Sequence, residues 1–147
     1  MSDIKQEVVK MLNRALELEY SARIQYLAHA EKITGLGSEP LVERLKEIAS
    51  DEQKHEEIFR SLVCSLLGGE ASMKLAETFN ASKIEEILSV NMKGEKDAVD
   101  FYKQIYQKVV ENKKEFQYEF ETLEHQIRHV IIDEQEHITE IAALQGK

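Results

Sequence analysis

A chain of 147 residues with a formal charge of −9, one cysteine and no tryptophan is long enough to bury a core without disulfide staples. Its acidity excludes nucleic acid as a partner, because phosphate neutralisation needs clustered Lys and Arg. The lone Cys64 excludes an intrachain disulfide and any cysteine-built metal or cluster site.

The amino terminus has no apolar run and no cleavage-site pattern, so no secretory signal is expected. No stretch approaches the roughly 18 uninterrupted apolar residues of a membrane span. A cytoplasmic protein of one domain, residues 1–147, with no membrane partner, is the expectation. Glu, Lys, Leu, Ala, Ile and Gln dominate, while Pro occurs once and Gly six times; that balance favours helix.

Apolar positions stepped by alternating threes and fours mark four long helices. The first stripe runs Ile4, Val8, Leu12, Ala15, Glu19, Ala22, Tyr26, Ala30, Ile33 and stops at Thr34-Gly35-Leu36-Gly37. The second opens near Ser38-Glu39-Pro40, a cap with proline in the first turn. It continues through Leu41, Leu45, Ile48, Glu52, His55, Phe59, Leu62 and Leu66 to Gly68-Gly69. Residues 70–81 read as a crossover with a short helical piece around Met73–Ala76. Ser82 with Glu85 has the form of a capping box. The third stripe then runs Ile84, Leu88, Asn91, Glu95, Ala98, Tyr102, Ile105, Val109. After a solvated turn at Glu111–Glu115, the fourth runs Phe116, Phe120, Leu123, Ile127, Val130, Glu134, His137, Ile141, Leu144. Helices of about 29–32 residues, roughly 45 Å long, suit an all-α, antiparallel four-helix bundle with one longer crossover between the second and third helices.

Six positions break the apolar pattern: Glu19, Glu52, His55, Glu95, Glu134 and His137. Each lies near the middle of its helix, so an antiparallel bundle brings all six to one level. Four carboxylates and two imidazoles in one buried layer are unfavourable alone, since each buried ion carries a desolvation penalty of several kcal/mol and like charges repel strongly at low dielectric. Two divalent cations would cancel the four carboxylate charges. Carboxylate with neutral imidazole suits iron, manganese or zinc. One Glu from each of two helices, plus a Glu-x-x-His from each of the other two, is the ligand pattern of ferritin-like dimetal carboxylate proteins.

Leu18–Ala30 resembles the first-helix motif of bacterioferritins, and Gly94–Tyr102 is similar to the third helix of rubrerythrins and bacterioferritins. The segments Asp51-Glu52-Gln53-Lys54-His55 and Asp133-Glu134-Gln135-Glu136-His137 complete the ferritin-like set. The resemblance implies that Glu52 and Glu134 bridge two metals, with Glu19 and His55 completing one and Glu95 and His137 the other. Asp51 and Asp133 resemble partners that bond the free ring nitrogen of a ligand histidine. Tyr26 and Tyr102 resemble site-flanking tyrosines able to bond ligand carboxylates; plain core packing is the alternative. Gln53 stands where haem-binding bacterioferritins place methionine, so no haem is expected. Ala98 stands where rubrerythrins carry a further glutamate. Only ten residues follow His137, which leaves no room for the fifth helix of 24-subunit cages; a homo-oligomer, dimer rather than 24-mer, is expected.

The implied activity is a di-iron oxidoreductase that binds two Fe²⁺ and oxidises them with O₂ or H₂O₂, as ferroxidase or peroxide reductase, with an electron donor the sequence does not name. An iron-storage cage subunit and a structural, metal-stapled bundle are the alternatives. The remaining polar features have plainer readings. Cys64 is expected as a small buried thiol. His125 and His129 are expected at the surface without a metal, and His29 in interfacial or half-buried packing. Asn91 is either a buried hydrogen-bonding group or a polar neighbour of the site.

Overall fold

The computed structural model describes residues 1–147 and consists of four long helices with no strand. They are α1 (Asp3–Lys32), α2 (Glu39–Ser61), α3 (Ile84–Glu111) and α4 (Phe120–Leu144). Their lengths are 30, 23, 28 and 25 residues, so α2 and α4 fall short of the expected span. α2 regains its reach through a π-helical turn at Leu62–Leu66 that continues its axis. α1 packs chiefly on α2 and α3 on α4, and α1 against α3 closes the bundle. No helix is long and apolar enough to cross a membrane.

The helix ends follow local chemistry, with two departures from the sequence reading. The Ser2 hydroxyl accepts the Lys5 N–H at 3.2 Å and caps α1. Pro40 opens α2 as expected, but Ser38 donates its hydroxyl to the Gly35 carbonyl at 2.7 Å rather than capping. The Ser82–Glu85 capping box does not form, because α3 starts at Ile84 and extended Lys83 holds the cap position. α4 begins at Phe120 rather than Phe116. Phe116 is fully buried and seals one end of the core, so the chain bends around it through a 3₁₀ turn at Lys113–Glu115 before the helix starts. Gly68 ends α2 at φ +72°, and a Cβ on Gly69 would stand 2.9 Å from Val9, so both positions need glycine.

That close approach to Val9 fixes the path of residues 70–81. They must return from the level of Val9 to that of Lys32, about 35 Å along α1 at 1.5 Å per residue. Twelve residues span about 40 Å only when nearly extended. A helical piece at Met73–Ala76 would forfeit reach the crossover does not have, and none forms. The segment instead lies along α1 as a strap fastened at successive turns. Asn13 bonds the Glu70 carbonyl and the Ser72 N–H, and the Ser21 hydroxyl donates to the Ala76 carbonyl at 2.7 Å. Near its end, Gln25 accepts the Phe79 N–H and the Lys32 ammonium donates to the Ala81 carbonyl. Because the strap runs back along α1, α3 descends in the same direction as α2.

The polar layer divides the interior into two apolar cores. The larger has 17 buried residues, among them Leu12, Phe59, Ile105 and Leu123. The smaller has 10, among them Ile33, Leu45, Ile87 and Ile141. The layer is therefore clamped from both sides, and its side chains have little freedom to splay apart. Cys64 is exposed, against expectation. It follows the buried Leu62 by two residues, on the far side of the π-helical turn, so periodicity outweighs the general preference of thiols for burial.

Candidate metal centre

The 3.6-residue repeat places Glu19 on α1, Glu52 and His55 on α2, Glu95 on α3, and Glu134 and His137 on α4 at the same height. All six are at most 2 % exposed. The structure brings them together as two overlapping quartets: Glu19, Glu52, His55 and Glu134, and Glu52, Glu95, Glu134 and His137. Within each quartet one ligand atom per residue lies within 4.8 Å of the others. Glu52 and Glu134 belong to both. Glu134 Oε1 sits 3.2 Å from His55 Nδ1 and 3.2 Å from His137 Nδ1. Glu52 Oε1 is 3.3 and 3.4 Å from the same two nitrogens.

The outer nitrogens of both imidazoles are engaged across the α2–α4 seam. His55 Nε2 meets Asp133 at 2.9 Å and His137 Nε2 meets Asp51 at 3.0 Å. Each aspartate thus serves the histidine of the opposite helix, a cross-pairing the repeated motif does not reveal. With Nε2–H donated to a carboxylate, loss of the Nδ1 proton would leave a lone pair on the nitrogen that faces inward. Tyr102 donates its hydroxyl to Glu19 Oε1 at 2.9 Å. Tyr26, its counterpart, is equally buried; burial and the Glu95 carboxylate beside it raise its phenol well above the ordinary value, though its hydroxyl makes no well-aligned hydrogen bond.

Electrostatics show a layer short of positive charge. Burial, reinforced by the Glu134 charge, pushes Glu19 up to about 7 and Glu95 up to about 8. Burial and Glu134 also raise Glu52 well above the carboxylate range. Burial opposes the charge of His137, but the Glu134 carboxylate close by and the Glu95 carboxylate bonded to its Nδ1 overcome it and raise that imidazole to about 11. His55 rises for the same reasons, through Asp133, Glu134, Glu19 and Glu52. Glu134 is held below its ordinary value, since the adjacent His137 and His55 imidazoles outweigh its burial.

Several atoms are nevertheless left without partners: Glu19 Oε2, both oxygens of Glu52, Glu134 Oε1 and His55 Nδ1. Orphaned buried acceptors cost about 1–3 kcal/mol each, and more when charged. Their clustering in one layer is what a pair of metal ions would satisfy, and carboxylate with imidazole is a donor set for iron, manganese or zinc. The residues fit the group.

On the opposite side, between α1, α3 and the strap, a pocket of about 330 Å³ reaches down to the layer. Glu19, Glu52, Glu95, Glu134, Tyr26 and Tyr102 form its floor, and Glu77, Phe79, Lys93 and Asp97 stand around its mouth. The sequence reading did not find it; a mid-helix glycine beside Glu95 was the available signal. The reading also missed the ion pair of Arg23 with the buried Glu56, which ties α1 to α2.

The other candidates lie outside both quartets. His125 and His129 are exposed with rings 6.4 Å apart, and belong to neither quartet. His29 is buried within the chain rather than half-buried at an interface. Its Nε2 bonds the Phe79 carbonyl at 2.9 Å and its Nδ1 meets Asn91 at 3.0 Å, which makes Asn91 a buried hydrogen-bonding group.

The fold is shared with solved structures of low sequence identity. Ferritin-like, diiron-carboxylate proteins from Bacillus anthracis match with a TM-score of 0.88 at 24% identity, over 98% of this chain and 99% of that one. The Desulfovibrio desulfuricans bacterioferritin matches at 0.85 and 23% identity, over 97% and 80%. A Mycobacterium tuberculosis bacterioferritin matches at 0.81 and 22%, over 97% and 84%. No curated protein matches by sequence. The profile of the ferritin-like domain covers residues 9–117, most of the chain, and the protein therefore belongs to the ferritin-like domain family.

Proposed function

We propose that this chain is a di-iron oxidoreductase, taking two Fe²⁺ as substrate into the polar layer and passing their electrons to O₂ or H₂O₂. The observation that carries this reading is the pair of quartets sharing Glu52 and Glu134, with partnerless buried oxygens turned into the same small volume. Family membership and the likeness to a structure described as diiron-carboxylate support it.

Glu52 and Glu134 would bridge the ions, Glu19 with His55 would hold one, and Glu95 with His137 the other. Bound iron supplies the one-electron chemistry. The chain supplies orientation and exclusion of water. Asp133 and Asp51 fix the imidazole tautomers from outside the layer. Tyr102 restrains Glu19. The two apolar cores close the layer above and below.

Anaerobic titration with Fe²⁺, followed by rapid mixing with O₂ and separately with H₂O₂, tests the reading. Saturation at two Fe²⁺ per chain and faster oxidation than of free Fe²⁺ by at least one oxidant are expected. Bound Fe²⁺ that neither oxidant consumes would leave only a storage or structural role.

A further inference from the structure

The fourth helix carries a second set of metal-binding side chains, outside the buried layer. His125, His129 and Asp133 follow one another at intervals of four residues, a spacing that makes side chains neighbours on one helix face. Both imidazoles are exposed, and their rings lie 6.4 Å apart with 22° between their planes. Histidines at i and i+4 on one face can grip a single zinc-like ion. Spacing alone does not make a site; the third donor does.

The contact between His129 and Asp133 points to an ion. His129 Nε2 stands 3.5 Å from Asp133 Oδ2, beyond the N–H···O hydrogen-bond distance of about 2.9–3.0 Å. Two ligand atoms on one tetrahedral ion, each about 2.1 Å from it, stand about 3.4 Å apart. The pair is therefore already at the separation of two ligands. The carboxylate is also held in place from behind. His55, 1 % exposed, bonds the same oxygen through Nε2 at 2.9 Å, and a ligand carboxylate in a metal site is itself hydrogen-bonded. An ionised carboxylate has about four acceptor positions, enough for both partners. His125 joins by rotation of an exposed side chain. It gives up one long contact, 3.4 Å from Nδ1 to Arg128, whose charge Glu124 already answers at 2.8 Å.

We propose that His125, His129 and Asp133 bind one divalent transition-metal ion at the surface of α4. Two imidazoles and a carboxylate favour zinc, iron(II), cobalt(II) or nickel(II) over magnesium and calcium, which take oxygen donors. Water completes the coordination, because all three side chains approach from one helix. The site shares Asp133 with the ties of the layer, but it does not rest on the di-iron reading.

The probe is Zn²⁺, followed through the histidine ring signals by two-dimensional NMR, with Mg²⁺ as the comparison. The signals of His125 and His129, assigned from His125→Gln and His129→Gln, should shift together and saturate with Zn²⁺. Mg²⁺ should leave them in place. Bound Zn²⁺ at saturation should fall by one ion per chain in His129→Gln, whatever number the layer holds, so the two readings fail separately. Both histidines are exposed, so replacing them leaves folding undisturbed. Asp133→Asn should weaken the response of both surface rings. Rings that ignore excess Zn²⁺, or equal counts in wild type and His129→Gln, overturn the site. A response of one ring without the other, or an undiminished response in Asp133→Asn, overturns the three-residue ligand set. A loss of half an ion per chain, with a Zn²⁺-driven doubling of mass, overturns it in favour of a bridge between two copies. Equal shifts with Mg²⁺ overturn the ion class.

Discussion

The two faces of the polar layer are built on opposite principles. Between α2 and α4 the layer is closed by reciprocal ties, His55 to Asp133 and His137 to Asp51, each 2.9–3.0 Å long. Between α1 and α3 it opens into a pocket bordered in part by an extended strap. The closed face uses charge-assisted hydrogen bonds, the short and strong kind, to hold ligand atoms in place. Inside the layer, buried polar atoms are left without a well-formed bond, both oxygens of Glu52 among them. The layer's side chains are fixed from one side and reached from the other.

The largest expected effect breaks both faces at once. Glu52 and Glu134 are the only residues common to the two quartets, so Glu52→Gln or Glu134→Gln should abolish binding of both ions. Glu19→Gln should spare the ion at Glu95 and His137. Stability should show a crossing of order. Burial and the Glu134 charge disfavour ionised Glu52, so metal-free Glu52→Gln should melt above metal-free wild type. Ions at a hundred times their dissociation constant stabilise a protein by about 2.7 kcal/mol per site, so with Zn²⁺ present the wild type should melt higher. Calorimetry on the two proteins with and without metal checks this; an unchanged order sinks the dimetal reading.

A smaller effect probes the closed face alone. Removal of a carboxylate behind a ligand histidine lowers metal affinity about 10–100-fold, so Asp133→Asn and Asp51→Asn should each weaken binding within that range. Asp133 is 27 % exposed and Asp51 42 %. The His55 bond also holds the Asp133 carboxyl below its usual value. Asp133→Asn should therefore cost more affinity, measured by competition with a chelator. Equal losses would mean that solvent exposure does not separate the two ties.

The closed face was largely legible in the sequence, and the open face was not. Glu19, Glu52, His55, Glu95, Glu134 and His137 announce themselves because a 3.6-residue period demands apolar residues there, and a charged side chain at such a place is conspicuous. The pairing of each aspartate with the opposite helix's histidine is a property of the seam, which neither motif contains. The pocket is made of what is missing at Ala22, Gly94 and Ala98, and missing atoms leave no periodicity. The strap has no repeat either. Its extended path follows from a distance between helix ends, a quantity that appears only after the bundle is assembled.

Between the two faces and the solvent stands a ring of hydrogen bonds whose sense cannot be reversed, and it carries the smallest prediction. The Phe79 N–H donates to Gln25 Oε1, Gln25 Nε2 to Asn91 Oδ1, and Asn91 Nδ2 to His29 Nδ1. The circuit closes with His29 Nε2–H donating to the Phe79 carbonyl. A proton on Nδ1 would face the Asn91 amino group. Turning Asn91 over sets it against the Gln25 amino group, and turning Gln25 over sets that against the Phe79 N–H, a backbone donor that cannot turn. One bond is lost whichever way the amides rotate. Burial, aided by Lys32, accordingly lowers the His29 value from 6.5. For a base whose folded value is depressed, stability is complete above the unfolded value and is lost as pH falls through the folded one. Below about pH 6.5 the wild type should therefore lose stability relative to His29→Gln, which carries no titrating proton. Denaturant midpoints of both proteins at pH 7.5 and 5.5 measure the difference, free of the layer's own titration because the layer is common to both. If the gap between them does not narrow on acidification, the ring does not hold the strap over the open face.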